Sequence, residues 1–139
     1  MSRVYFTDRD LGKRFPDILA AAGLQVVRHH ERFDPRGSDE EWLEYVGANG
    51  VVAITHDRRI RHKPNELQAV VRHQVALLVV VGKVPFPELA ENFVRTLSRI
   101  ERFLDRNPPP FIAKVYRPTP SERSRSDSAA GSIARWYPA

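Results

Sequence analysis

The sequence predicts a three-layer α/β domain with a mostly parallel central sheet. Short apolar runs rich in β-branched residues alternate along the chain with segments whose apolar residues recur at helical spacing. Two of these runs, residues 51–55 and 76–81, are apolar almost throughout, which is typical of strands covered on both faces. Regular alternation of strand and helix favours helices packed on both sides of a parallel sheet.

The predicted strands are short and are separated by helical segments. They comprise residues 4–7, 25–29, 51–55, 76–81 and 111–116. Apolar residues at helical spacing predict helices at residues 11–22, 38–49, 66–73 and 87–107. Gly23, Gly50 and the prolines at 108–110 stand where these helices should end. The last strand is expected at an edge of the sheet.

Length and composition are those of one globular domain. The chain has 139 residues, of which 42% are hydrophobic and 28% charged. It has no apolar stretch long enough to span a bilayer, no signal-peptide pattern at its N-terminus and no cysteine for disulfides or thiolate metal sites. These features predict a cytoplasmic protein. The net charge of +5 and the pI near 10.0 favour a polyanionic partner.

The composition changes at residue 117. Beyond it the chain is rich in Pro, Ser and Arg, and such a segment buries too little apolar area to offset the entropy lost on ordering. The sequence therefore predicts a domain at residues 1–116 and a flexible tail at residues 117–139. Trp136 and Tyr137 are the only large aromatic residues beyond this point and are candidates for docking on the domain.

Carboxylates follow two predicted strands and open the helix between them. Asp8 and Asp10 come after the first strand, Asp39 and Glu40 lie in the first turn of a helix, and Asp57 follows the central strand. The carboxyl ends of neighbouring parallel strands meet at one edge of a sheet, so these acids can converge. A divalent cation would relieve their repulsion, acidify a bound water and stabilise charge on a phosphodiester oxygen. The pattern predicts a Mg²⁺ or Mn²⁺ site.

Each acid also has a purely structural interpretation. Asp10 can cap the helix that follows it. Ser38 and Glu41 fit a capping box, and the two acids between them suit the positive end of the helix dipole. Asp57 can hydrogen-bond its own backbone in a turn. For each acid taken singly, the structural interpretation is enough to explain its position. Three acid-bearing junctions in one doubly wound pattern nevertheless favour a shared site.

Cationic residues adjoin the acids in sequence. The candidates for contact with a nucleic-acid backbone are Arg9, Arg58, Arg59, Arg61 and Lys63. The alternative is a solvated basic loop with no ligand. The five histidines lack the spacing of a zinc site, and His56, between the strand end and Asp57, is expected nearest to the acids.

Three stretches contain these acids: F-T-D-R-D-L-G-K-R-F at 6–15, S-D-E-E-W-L at 38–43 and V-V-A-I-T-H-D-R-R-I-R at 51–61. Together they resemble a PIN-like domain of the VapC-type toxin ribonuclease subgroup. R-I-E-R-F at 99–103 and P-P-F-I-A-K-V-Y at 109–116 extend the resemblance. It implies a Rossmann-like PIN-type fold, a Mg²⁺ or Mn²⁺ cofactor, endonucleolytic cleavage of RNA and a cognate antitoxin protein that blocks the site. A homodimer is a further candidate assembly.

The resemblance also implies roles for individual residues. By position, Asp8 matches the first family acid, Asp39 the helix acid and Asp57 the acid of the T-x-D motif, whose threonine is Thr55. These residues, with Asp10 as an extra ligand or as the group that orients water, form the implied catalytic set.

One position departs from the family pattern. Many relatives have a further acid two residues beyond the T-x-D acid, where this chain has Arg59. Asp10 or Glu40 is the candidate replacement as a metal ligand. The departure also leaves open a catalytically degenerate module that binds RNA or protein without cleaving. A phosphorylation receiver is a third interpretation, but the hydroxyl and lysine that it needs after the fourth and fifth strands are not evident.

Overall fold

The computed structural model describes residues 3–139 and contains a six-stranded sheet with helices on both faces. The strands are β1 Val4–Thr7, β2 Gln25–Arg28, β3 Val52–Thr55, β4 Ala76–Val80, β5 Phe111–Tyr116 and β6 Ser132–Tyr137. The helices are α1 Arg14–Ala21, α2 His29–Arg32, α3 Asp39–Asn49, α4 Pro64–Arg72, α5 Phe86–Arg95, α6 Leu97–Arg106 and α7 Pro120–Arg125. Two 3₁₀ turns, Arg9–Leu11 and Ile60–His62, follow β1 and β3. The predicted α/β class is confirmed.

The order of strands in the sheet is β2-β1-β3-β4-β5-β6. The first five are parallel to one another, and β6 is antiparallel to β5. From β1 the chain passes to β2 on one side and then crosses to β3 on the other. This reversal places a topological switch point at the carboxyl ends of β1 and β3, where open α/β sheets form a crevice.

Two apolar layers cover the sheet. Successive strand residues point to opposite faces, so Tyr5 packs with Phe93 under α1 and α5, while Phe6 stacks on Trp42 of α3. Every residue of β3 is buried, which explains why its sequence is a continuous apolar run. Each large side chain withdrawn from water contributes about 1.5–3 kcal/mol. The predicted buried central strand is confirmed.

The helix predicted at residues 87–107 is two helices, α5 and α6, which meet at Thr96. The Thr96 hydroxyl donates to the Asn92 carbonyl oxygen one turn earlier, at 2.6 Å, and a threonine bonded in this way bends a helix. Apolar periodicity passes through such a break unchanged, so the sequence pattern does not register it. The short helix α2, directly after β2, was not predicted either. No helix within residues 3–139 combines the length and apolar character needed to cross a membrane.

The C-terminal segment differs from the expected flexible tail, because it contains α7 and β6. The Gly131 N–H donates to Thr96 Oγ1 at 2.9 Å, and the Arg99 guanidinium donates to the Gly131 carbonyl oxygen at 2.6 Å. Asn92 Nδ2 donates to the Tyr116 carbonyl oxygen at 3.1 Å. Polar groups of α5 and α6 thus fix a segment whose own composition favours disorder. The prediction that β5 lies at the sheet edge is wrong, since β6 covers it.

We expect Gly131→Ala to destabilise the protein by about 1–3 kcal/mol, the usual cost of overpacking. A Cβ at this position would collide with the Tyr116 carbonyl oxygen and force β6 away from β5. The free energy of unfolding in urea measures the effect, with the exposed neighbour Ser132→Ala as the matched control. Equal stability of Gly131→Ala and the parent would contradict the described packing of this segment.

Candidate active site

A cavity of about 500 Å³ opens at the switch point between β1 and β3. Four of the five predicted acids line it, with cationic and histidine side chains around them: Asp8, Asp10, Asp39, Asp57, Arg9, Arg58, Arg59, Lys63, His29 and His56. Four of the acids at the strand ends and the helix start thus line one cavity, and their predicted roles stay a prediction. The fifth acid lies elsewhere.

The Thr55 hydroxyl joins the two acids that follow β1. Asp8 directly follows that strand, is 8% exposed, and accepts from Thr55 Oγ1 at 2.7 Å and from the Arg9 N–H at 2.7 Å. Asp10 is exposed as a residue, but its carboxylate turns towards the end of β3, where Oδ2 lies 3.2 Å from Thr55 Oγ1 and 3.2 Å from the His56 N–H nitrogen. A hydroxyl has one hydrogen, so it cannot satisfy both carboxylates fully.

This arrangement makes negative charge costly at both acids. Burial is the main cause that raises the pKa of Asp8, and the charge of Asp39 adds to it against the hydrogen bond from Thr55. Desolvation of its carboxylate, followed by the charge of Asp8, raises the pKa of Asp10 to about 7. The pair is thus suited to hold either a proton or a cation near neutral pH.

Asp57 has the opposite environment. Its Oδ2 accepts from Lys63 Nζ at 2.7 Å, and its Oδ1 accepts from the Arg59 N–H at 2.9 Å. Partial burial acts to raise the pKa of Asp57, but the Lys63 hydrogen bond and the contacts from Arg59 outweigh it and lower the pKa. Its backbone N–H donates to Thr55 Oγ1 at 3.1 Å, so the T-x-D segment turns around the same hydroxyl.

Asp39 and Glu40 are separated by the geometry of α3. Asp39 faces the cavity and is held by the Trp42 indole N–H at 3.1 Å, one turn along the helix. Glu40 lines a different cavity of about 300 Å³ between α3 and α4, together with Glu44 and His73. Neighbouring residues on a helix point about 100° apart, so one of the two acids must face away. The structure does not bring Glu40 to the predicted site.

The direct metal ligands were predicted to converge from three chain segments. Within residues 3–139, no three His, Asp or Glu side chains lie close enough together to hold one ion. Mg²⁺, however, is typically bound by one or two carboxylates and several waters. The paired carboxylates of Asp8 and Asp10, which share one hydroxyl proton, fit an ion of this kind. Asp39 and Asp57 also line the cavity, the latter in an ion pair with Lys63.

Four of the five predicted phosphate-binding residues line the cavity, namely Arg9, Arg58, Arg59 and Lys63. Arg61 does not. Its guanidinium lies 5.5 Å from the ring centroid of Trp136 and 5.8 Å from that of Tyr137, both on β6. The sequence places Arg61 on the loop after β3 but does not show which way its side chain points. In the structure the buried Ile60 anchors a 3₁₀ turn that directs the side chain of Arg61 towards the sheet face.

Two histidines lie at the site, and only one was expected there. The His56 ring packs edge-to-face on Phe86, with Nε2 3.3 Å from the Gly82 carbonyl oxygen. His29 lines the cavity and is 6% exposed. It directly follows β2, so the signal that located the acids, a polar residue after a parallel strand, would also have located His29.

A doubly wound parallel sheet with carboxylates at its switch point has a polar, acid-lined crevice at the position where open α/β sheets bind ligands. Residues 4–82, more than half of the chain, match the family model described as the PIN-like domain. The chain belongs to this family, whose fold is a nuclease-type fold. All the lining residues named above lie within the matched segment. No curated protein and no solved structure matches the chain at a significant level. The domain limits at residues 1–116 and 117–139 stay a prediction.

The raised pKa of Asp10, about 7 against an ordinary 3.8, predicts how stability depends on pH in the metal-free protein. The folded state binds this proton more tightly than the unfolded state, so the contribution is complete below about pH 4 and is lost as the pH rises to about 7. We therefore expect Asp10→Asn, which cannot ionise, to be more stable than the parent at about pH 8, with the difference closing at about pH 4.

Urea unfolding with a chelator present, at both pH values, measures this difference. Asp127→Asn, which replaces an exposed carboxylate before β6, serves as the control for the loss of one carboxylate. If the Asp10→Asn difference did not vary with pH, the assigned titration of this carboxylate would be wrong.

Proposed function

We propose that this protein is a Mg²⁺- or Mn²⁺-dependent endoribonuclease of the VapC type, the toxin of a type II toxin–antitoxin pair. The observation that most supports the proposal is the Asp8–Thr55–Asp10 arrangement at the switch point of the sheet. Membership of the PIN-like family adds support, since these domains are often nucleases. The basic rim of the cavity suits a substrate with a phosphodiester backbone.

In this mechanism Asp8 and Asp10 would hold the metal ion, which would supply a water of lowered pKa and stabilise charge on a phosphate oxygen. Thr55 keeps the two carboxylates in place from the end of β3. Asp39, fixed by the Trp42 indole, faces the same space and orients water. Glu40 has no part in this mechanism, because it lines another cavity.

The cationic residues hold the substrate. Arg9 and Arg58 line the cavity and neutralise phosphate charge on either side of the scissile bond. Lys63 and Arg59 are paired with Asp57, so their charge is partly neutralised before substrate arrives. Asp57, kept ionised by these partners, acts as the acceptor that fixes them at the rim. It does not need to bind the metal directly.

A toxin of this kind needs a partner. A cognate antitoxin that covers the cavity and contributes its own anionic or cationic groups is part of the proposal, as are cytoplasmic action and a possible homodimer. The net charge of +5 favours association with an acidic protein segment as well as with RNA.

We expect Asp8→Asn to reduce Mn²⁺-dependent cleavage of RNA by roughly 100-fold or more, because it removes a charge that acts directly at the reacting group. The measurement is cleavage of a labelled RNA by the purified protein, together with growth arrest on expression in cells. Asp105→Asn is the control: it removes an exposed carboxylate that pairs with Arg3 at the opposite end of the sheet, where the contribution is small. Full activity of Asp8→Asn would contradict the proposal.

Calorimetric titration tests the metal separately from cleavage. We expect the parent to bind Mn²⁺ through carboxylates, and expect Asp8→Asn and Asp10→Asn each to lose most of the binding, while Glu40→Gln binds like the parent. Because Asp10 holds its proton up to about pH 7, metal binding at about pH 6 should release a proton, seen as heat that depends on the buffer. Metal binding lost in Glu40→Gln but kept in Asp10→Asn would overturn the ligand assignment.

The same experiments decide the alternative of a degenerate binding module. RNA binding that persists without metal binding or cleavage would favour the alternative. The physical reason would then be that Asp57 is ion-paired and that Arg59 stands where many relatives have an acid. Metal binding and cleavage that both depend on Asp8 would exclude it.

A further inference from the structure

The face of the sheet over β5 and β6 differs from the rest of that layer. On this side α3 and α4 cover the sheet with apolar residues, and α4 lies beside the end of β6, where Leu67, Val71 and Tyr137 line one cavity. At the edge of the sheet β6 itself supplies the partly buried aromatic residues Trp136 and Tyr137. The loop after β3, whose first residues line the cavity, ends beside them.

Cationic side chains gather on these two rings. Lys114 Nζ lies 3.9 Å from the ring centroid of Trp136, and the Arg61 guanidinium lies 5.5 Å from it. The His62 ring packs edge-to-face on the same indole, with the centroids 5.8 Å apart. We call Arg61, His62, Lys114, Trp136 and Tyr137 the aromatic–basic strip. Cation–π contacts of this kind hold the cations in place without neutralising them.

The strip has no internal counter-ion. Within residues 3–139, neither Arg61 nor Lys114 forms an ion pair with a carboxylate. The Arg61 Nε is buried and has no hydrogen-bond partner there. Two like charges held on one ring repel each other, and an anionic ligand would relieve this repulsion. The arrangement therefore points to a bound anion.

The strip is continuous with the cavity. The loop from Arg58 to Lys63 contains no acidic residue. Its residues contribute to both surfaces: Arg58, Arg59 and Lys63 line the cavity, and Arg61 belongs to the strip. A polyanion that enters the cavity can follow this loop to Lys114 on β5. A chain of phosphates matches such an extended row of cations better than a single anion does.

We infer that the aromatic–basic strip, completed by the C-terminal strand, binds the backbone of single-stranded RNA where it leaves the cavity. The inference rests on the proposed function for the identity of the polyanion and extends it by assigning Lys114 and the 117–139 segment to substrate binding. Trp136 is a positioning residue: it holds Arg61 and Lys114 in the direction of the phosphates. The polar contacts at Gly131 explain how the segment is fixed for this task.

The test compares binding of labelled single-stranded RNAs of about 4 and about 16 nucleotides to the full chain, with a chelator present so that no cleavage occurs. We expect Lys114→Gln to weaken binding of the long RNA about 5-fold and to reduce its salt slope by about 0.7, the value of one phosphate contact on a single strand. The short RNA, which fills only the cavity, should bind equally to variant and parent. Arg95→Gln, the same loss of charge on the exposed side of α5, is the control.

Trp136→Ala should weaken long-RNA binding more than Lys114→Gln does, because it releases both cations, and Trp136→Phe should restore part of it by retaining a ring. Unchanged salt slope and affinity in both Lys114→Gln and Trp136→Ala would overturn the inference, and would do so even if metal-dependent cleavage proceeded normally. The converse result is equally distinct: strip variants that bind long RNA weakly, in a protein that never cleaves RNA, would support the strip and contradict the proposed nuclease activity.

Discussion

The site of this protein depends on the hydroxyl of Thr55. It lies between the carboxylates of Asp8 and Asp10 and also accepts the backbone N–H of Asp57, so one oxygen connects the ends of β1 and β3. Because one hydroxyl hydrogen cannot bond fully to two carboxylates, the negative charge of the pair is not fully compensated by the protein. Two adjacent carboxylates without full compensation do not favour stability, and such an arrangement is characteristic of a functional site.

The cavity contains acids in two opposite electrostatic states. Burial and mutual repulsion raise the pKa values of Asp8 and Asp10, whereas the hydrogen bond from Lys63 overcomes burial and lowers that of Asp57. Groups whose pKa values are pushed apart within one site can take different chemical roles. The first pair is suited to a cation or proton, and Asp57 is suited to holding the basic rim in position. This division follows from which neighbours the fold supplies, since the three side chains are chemically the same.

The basic residues divide in the same way. A run of cations in sequence becomes two surfaces in space, one at the cavity rim and one on the aromatic residues of β6. The second surface exists only because the C-terminal segment returns to pair with β5. The C-terminal segment, whose composition favours disorder, thus forms part of the proposed RNA-binding surface.

The sequence by itself determined the α/β class, the buried central strand, and the position of Asp8, Asp10 and Asp57 just after strand ends, because these follow from local periodicity and from the geometry common to parallel sheets. Tertiary structure decided the rest. Asp39 and Glu40 are equivalent neighbours in sequence, and only the packing of α3 selects Asp39 for the cavity. The placement of the segment that leads into β6 depends on hydrogen bonds between residues more than 30 positions apart, which no local pattern contains. The segment from Thr7 to Asp10 illustrates both contributions. Its position at the end of a strand could be predicted from the sequence, whereas the hydrogen bonding of its carboxylates depends on Thr55, which the fold brings next to it.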